Sequence, residues 1–462
     1  MTTESHVGLA LMKPSPGYGD GGALTALIQQ AVASAGYAFC SLRGAFAEIV
    51  QPGAHVLLKP NWVFHYNKSG HGMDCMVTHP ALIEAVVKEL LRAQPGSITI
   101  ADAPIQSCQF DVLVPSSWVR SLQMLSDSCP ITIRDLRRTI YVVDRGGAHA
   151  QRDLWPVSDY LLFDLGTSSM LEPISLPPGL FRNTNYDPRE LAHTHYPGVH
   201  KYSLWKGAFT TDVIINLPKL KTHRKAGITG ALKNLVGLNG DKDYLPHHRA
   251  GGSASGGDCY AGRKPLKRLA EYLIDRTNMR LNKAGYIWLQ NLTLLVTALC
   301  RVTHRQRTLE GEWYGNDTSW RMVLDLNRLV HYGNDSGAIE AHAPRAIYSL
   351  SDGIIAGEGF GPLAPEPVAL GAVTFASSSA FAELAHCALL HLDWQKLPLI
   401  REAFAEHTYP LVTQAPAQLV VNYNHQQLSW EETARTYGKP FRPPRGWVGH
   451  IEWNDKAGGA RR

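Results

Sequence analysis

The 462-residue chain contains no C-x-x-C pair, and its seven cysteines, at positions 40, 75, 108, 129, 259, 300 and 387, are an odd number. That spacing suggests neither a disulfide framework nor a zinc or ferredoxin-type site. No complete dinucleotide fingerprint or phosphate loop is present, so these motifs point to no nucleotide cofactor and the cofactor stays unknown. There is no apolar run of the roughly twenty residues that a spanning helix needs. The first twenty residues lack a basic start followed by an apolar stretch, which argues against a signal peptide and makes the cytoplasm the default expectation. Net charge is only +5. Such a balance suits an anionic small-molecule substrate but lacks the concentrated basic bias of a nucleic-acid binder, so no nucleic acid is expected.

What is present is ordinary for a soluble globular enzyme: 44% hydrophobic and 18% charged residues. The length exceeds one usual core. The expected fold class is α/β, with two α/β domains of mostly parallel sheet and a helical insertion. Residues 23–36 read as an amphipathic helix, 55–58 as a buried strand, 78–91 as a helix opened by Thr78, and 98–101 as the next strand. This alternation predicts crossover helices. Residues 1–262 are assigned to a larger domain with an inserted antiparallel element near 131–198, 263–310 to the helical insertion, 311–440 to a second, smaller domain, and 441–462 to a tail whose last residues are expected to be disordered.

Residues 212–241, DVIINLPKLKTHRKAGITGALKNLVGLNGD, carry most of the chemistry. The expectation is a strand over 212–216, a loop over 217–228 and a helix starting at Thr229. Ligands of open α/β sheets sit outside the carboxyl ends of the strands. Gly227 and Gly230 permit close approach, so the N–H groups at the helix start are expected to face an anion, with Thr229 and Asn234 beside it. Lys219, Lys221, His223, Arg224, Lys225 and Lys233 would surround that point with positive charge. Lys59 and Asn61 end a neighbouring strand and are candidates to complete the site. Histidine exchanges protons near neutral pH, which makes His223 the first catalytic candidate. Asp102, at a strand end, and Asp352 and Glu358, in a glycine-rich loop of the second domain, are the candidate carboxylates, Glu358 being the one read as catalytic; closure of the two domains would bring Asp352 and Glu358 over the site. Residues 249–262 read as a mobile lid or a plain flexible connection.

The chain resembles the domain of unknown function 362 family through Leu57-Leu58-Lys59-Pro60-Asn61, Asp102-Ala103-Pro104, the run from Asn216 to His223, the run from Gly227 to Asn234, Asp352-Gly353-Ile354 and the run from Gly357 to Pro362. A second similarity, more distant, is to lactate racemases that use a nickel-pincer nucleotide. His223 and Lys233 have the spacing of that family's proton-exchanging histidine and cofactor-tethering lysine. The resemblance implies a hydroxyl-proton exchange by His223 and admits a nickel-pincer nucleotide or other metal. Ala231 departs from the pattern, and Arg249 stands where the nickel-binding histidine is expected. His247 and His248 lie just before it and keep a metal open.

The leading expectation is an enzyme of isomerase or redox type that binds a hydroxylated anionic small molecule between two domains. One alternative is a metal- or cofactor-dependent transferase or hydrolase acting on a phosphorylated substrate. A second is a non-catalytic, membrane-associated binding protein, because residues 286–300 are strongly apolar with basic flanks. That helix reads as a buried or oligomer-forming element, or as a peripheral membrane contact.

Overall fold

The computed structural model describes residues 4–143, 149–184, 186–280, 285–303 and 309–455. Eleven of the described strands form one mixed, mostly parallel sheet. In chain order they are β1 (His6–Leu11), β2 (His55–Pro60), β3 (Ser97–Asp102), β4 (Ile131–Asp135), β5 (Val213–Leu217), β6 (Lys219–His223), β7 (Gly227–Thr229), β8 (Ala346–Phe360), β9 (Ala364–Ala376), β10 (Val420–Tyr423) and β11 (Gln426–Leu428). The order across the sheet is β11-β10-β1-β9-β8-β5-β2-β3-β4, and β6 pairs with β8 and β7. The parallel block β8-β5-β2-β3-β4 is the α/β arrangement expected from the alternating pattern.

β5 is buried at every position, because helices cover both faces of the sheet. Successive side chains point to opposite faces, so Ile214 joins one core with Leu57 while Ile215 joins the other with Val56 and Leu58. α1 (Gly21–Ser34) and α2 (Pro80–Arg92) supply one core through Leu24, Ile28, Leu82 and Val86. Pro80 sits in the first turn of α2, where a missing N–H costs little, and the cap is His79 rather than Thr78. The opposite core is built by α3 (Ala231–Asn234) and, beyond the hairpin of α4 (Pro265–Asn278) and α5 (Tyr286–Thr303), by α6 (Ser319–Tyr332) and α7 (Ser379–Leu389).

Three boundaries differ from expectation. The sheet does not stop at residue 311: β8 pairs in parallel with β5, Val213 opposite Ala346, so residues 311–440 extend the sheet of the first region. The antiparallel insertion begins after β4, which is the edge of the main sheet. It consists of the Thr139–Val143/His149–Asp153 hairpin and the Tyr160–Asp164/Val199–Trp205 pair. The tail residues 441–455 are packed, with Phe441, Trp447 and Ile451 buried; the expectation of disorder falls on residues 456–462, outside the described residues. No described helix is long and apolar enough to cross a membrane.

Candidate functional site

The segment after β5 is not a loop. Asp352 N–H donates to the Pro218 carbonyl at 2.8 Å, and β6 then runs on beside the long β8 before turning back as β7. Strand spacing places Lys219, Lys221 and His223 on one side of β6 and Leu220 and Thr222 on the other. Leu220 enters the core, and the Thr222 hydroxyl donates to the Gly359 carbonyl at 2.9 Å. Gly227 has a φ of 81°, and a Cβ there would lie 2.2 Å from Leu397. The following helix is short: α3 covers four residues and continues as a 3-10 turn over Leu235–Leu238. Its free N–H groups do not face the site. The Leu232 N–H donates to the buried Glu383 carboxyl of α7 at 3.0 Å, and a Cβ on Gly230 would come within 2.3 Å of the same group. Burial with only backbone donors pushes the Glu383 carboxyl up to about 8.

Beneath the site lies a closed polar network at the carboxyl ends of β2, β3 and β5. The Lys59 ammonium pairs with Asp102 at 2.7 Å and donates to the Pro60 carbonyl at 2.8 Å. The other Asp102 oxygen accepts the Trp62 N–H at 2.6 Å. Asn234 accepts from the Asn61 amide at 2.9 Å and donates to Asn216 at 2.7 Å. The Lys221 ammonium donates to the Asn61 side-chain oxygen and the Met76 carbonyl. Burial, then Lys219, lowers the Lys221 amine to about 7. Lys219 pairs with Asp352 at 3.0 Å and donates to the Tyr18 hydroxyl at 2.7 Å. A lysine can donate only to an oxygen here, so the amide orientations of Asn61 and Asn234 follow from the network. Gly237 lets this floor close: a Cβ there would stand 1.9 Å from Asp102 Oδ1 and 2.7 Å from Lys59 Nζ.

Above the floor is a cavity of about 280 Å³. Asn61, Asp102, His223, Thr229, Lys233, Asn234 and His247 line it, as do Lys68, Arg224, Lys225 and Lys242. Five cations thus face one carboxylate among the described lining residues, and that carboxylate is held by Lys59. Arg224 pairs with Glu312 at 2.8 Å. Lys225 reaches Thr184 at 3.1 Å, and Lys242 donates to the Asn239 carbonyl at 3.1 Å. The Lys233 ammonium makes no hydrogen bond or ion pair with a described residue, while its backbone carbonyl accepts the Leu235 N–H. Burial first, then Lys242 and Lys225, lowers its amine to about 7. The Thr229 hydroxyl is buried and also lacks a partner among the described residues.

Two histidines on the wall are held in opposite tautomers. His223 Nδ1 accepts the backbone N–H groups of Lys225 and Ala226, both at 3.1 Å, so the neutral ring carries its proton on Nε2. His247 Nδ1 lies 2.9 Å from the Leu245 carbonyl, which can only accept, so its Nε2 carries a lone pair. Burial and then the Lys233 charge hold both rings well below the usual histidine range.

The structure therefore gathers His223, Asp102, Asn61, Thr229, Lys233, Asn234 and His247 at one cavity, with Lys59, Lys219 and Lys221 beneath or beside it. Gly227 and Gly230 shape the turn and contact no ligand space. Glu358 is not brought in: it lies within β8, accepts the Arg442 N–H at 2.9 Å and is absent from the cavity lining. The expected glycine-rich loop around it is strand, so no hinge carries it over the site. His248 turns away in a short strand, 3.3 Å from Lys225 Nζ. Arg249 lies near Asp258 at 4.0 Å, cannot ligate a metal, and does not line the cavity. Among the described residues no group of three or more His, Cys, Asp or Glu gathers in a metal-binding arrangement. The 249–262 loop also stays off the cavity, tied through Asp258 to Trp313 at 2.7 Å and Thr318 at 2.6 Å. Sequence reasoning missed Lys242, Gly237 and Glu383. The glycine of Val236-Gly237-Leu238 was the available signal, since a glycine within a helical pattern marks close approach.

A solved crystal structure of a Thermotoga maritima protein is 7% identical, with a TM-score of 0.32, and the match covers 77% of this chain and 55% of that one. The chain thus spans about half the length of that protein. No curated protein matches. The model of the family described as domain of unknown function (DUF362) matches residues 134–387, which include β5, the β6–β7 hairpin, four of the five wall cations and Glu383. With more than half its length matched, and the site segment inside the match, the chain belongs to the DUF362 family.

Proposed function

We propose that the cavity binds a small anion bearing a hydroxyl or carbonyl group, and that His247 and His223 move a proton on it in an isomerase- or redox-type reaction. The observation that carries this reading is the cationic wall, on which, among the described residues, the Thr229 hydroxyl is buried without a partner and the Lys233 ammonium, open to the cavity, has no hydrogen bond or ion pair. Keeping an unpaired ammonium buried costs free energy that a bound carboxylate or phosphate would offset. Lys225 and Lys242 extend the same field.

In this reading His247 Nε2 accepts the substrate proton and His223 Nε2–H donates a hydrogen bond to the reacting oxygen. A proton taken by His247 in the empty site would meet the Lys233 charge. Burial is the larger cause of the lowered His247 basicity, and a bound anion offsets the Lys233 contribution and so raises the basicity of the imidazole. Asp102 fixes Lys59 under the floor. The His223–Lys233 spacing resembles that of the nickel-pincer racemases, but Arg249 offers no donor to a metal, and Lys233 is read as an anion contact rather than a tether. The seven cysteines are unpaired, which suits a reducing compartment such as the cytoplasm.

Thermal melts with inorganic phosphate, glycerate and hexose phosphates test the binding step. An anion at a hundredfold its Kd adds ~2.7 kcal/mol, and the shift disappears in Lys233→Met. For whichever anion binds, deuterium uptake from heavy water at the hydroxyl-bearing carbon reports proton transfer, and His247→Gln slows it by about a hundredfold or more. Equal shifts in wild type and Lys233→Met would remove the anion contact, and undiminished uptake in His247→Gln would remove the base.

A further inference from the structure

We infer that the α4–α5 hairpin docks on an anionic phospholipid surface. α5 is apolar on the face it turns to solvent as well as on the face it buries. Toward the protein it buries Tyr286, Leu289, Thr293, whose hydroxyl meets that of Thr277 at 2.9 Å, and Cys300, whose thiol reaches the Leu266 carbonyl at 3.5 Å. Toward solvent it presents Ile287, Trp288, Leu294, Leu295, Leu299 and Val302, with Trp288 71% and Val302 84% exposed. These positions recur every three to four residues and so form one stripe, interrupted by Asn291. Leu269 and Tyr272 of α4 are exposed as well. An apolar face of this extent on a soluble protein marks an interaction surface.

Charge selects the partner. The sequence from residue 276 to residue 307 has six arginines and lysines and no aspartate or glutamate. Arg276 holds its guanidinium 5.0 Å over the exposed Tyr272 ring. A second copy of the hairpin would set basic ends against basic ends wherever the two stripes met, whereas anionic headgroups complement them. α5 has 18 residues, and no described helix is long and apolar enough to cross a bilayer, so the hairpin lies in the interface plane with Trp288 and the leucines among the acyl chains.

Flotation of the full chain with vesicles tests this directly. The protein is expected to float with phosphatidylglycerol-rich vesicles at low salt, to release as salt rises, and to stay behind with pure phosphatidylcholine. Trp288→Ser with Leu295→Ser lowers the affinity on the order of tenfold or more while leaving the melting temperature unchanged, because both side chains are exposed. Arg276→Ser with Arg280→Ser weakens binding about fivefold per residue. No flotation with anionic vesicles overturns the proposal. So does a dimer in light scattering that the Trp288/Leu295 variant disperses, since the stripe would then be covered by a second copy.

Discussion

Lys219 and Lys233 belong to one segment and are both buried, yet their surroundings differ completely. Lys219 has Asp352 at 3.0 Å and the Tyr18 hydroxyl at 2.7 Å, and Asp352 is itself held by the Tyr18 hydroxyl at 2.6 Å and the His79 N–H at 3.0 Å. Lys233 has none of this. A buried cation with its countercharge built in is part of the scaffold, because the pair carries no net charge to a ligand. A buried cation left unanswered raises the energy of the empty protein and lowers that of an anion complex. The difference separates Lys219 on the floor from Lys233 on the wall, and four substitutions probe it.

The largest effect is expected at the floor. Asp352→Asn leaves the Lys219 ammonium buried without a countercharge, which costs ~3–5 kcal/mol. Urea unfolding at neutral pH measures it. A loss below about 1 kcal/mol would mean that the pair contributes no more than a surface ion pair, and the division between floor and wall would fail.

Gly237→Ala comes next. The added methyl would lie 1.9 Å from Asp102 Oδ1, so either the Lys59–Asp102 pair or the 3-10 turn must move. Such overpacking costs ~1–3 kcal/mol. Because Gly237 also lines the cavity, anion-induced thermal shifts should shrink together with stability. An alanine variant as stable as wild type would show that the floor tolerates displacement.

Much of this was legible in the sequence, and the reasons for the rest are specific. The apolar run at 213–217 and the alternation of strand and helix patterns gave the parallel block, since period and burial are local properties. The basic segment at 219–233 marked the site. What sequence spacing did not show was which cations would be answered. Asp352 pairs with Lys219 only because β8 runs beside β6, a contact between residues far apart in the chain. The same long strand explains why Glu358, read as a loop carboxylate, sits in a ladder facing Arg442. Glu383 is an ordinary acid within a helix until α7 docks against the start of α3.

Glu383 offers the acidic counterpart of the comparison, a buried group answered only by backbone N–H. The folded protein keeps its proton up to about 8, whereas the unfolded chain releases it near ~4.3. Between those values the native state binds more protons than the unfolded state, so this group makes stability fall as pH rises through the window, with no further loss above about 8. Glu383→Gln keeps an acceptor for the Leu232 N–H without the titration. The variant and wild type should agree near pH 4 and diverge by on the order of 1–3 kcal/mol at pH 8, with the variant more stable. Parallel urea midpoints across that range would show that the carboxyl ionises in place.

The smallest effect on stability, again opposite in sign to the floor, is expected at Lys233. Burial lowers its amine to about 7, while the unfolded chain holds the proton to ~10.4. The penalty is therefore complete below pH 7, fades as pH rises from 7 through ~10.4, and is gone only above that value, where both states are neutral. Lys233→Met should raise stability by about 1 kcal/mol at pH 6, since the side chain borders a cavity that admits water, and the difference should shrink as pH rises through 10 and vanish only above ~10.4. The same variant loses the anion-dependent shift at every pH. A methionine variant that is less stable at pH 6 would mean that Lys233 is paired after all, and the wall would then be scaffold like the floor.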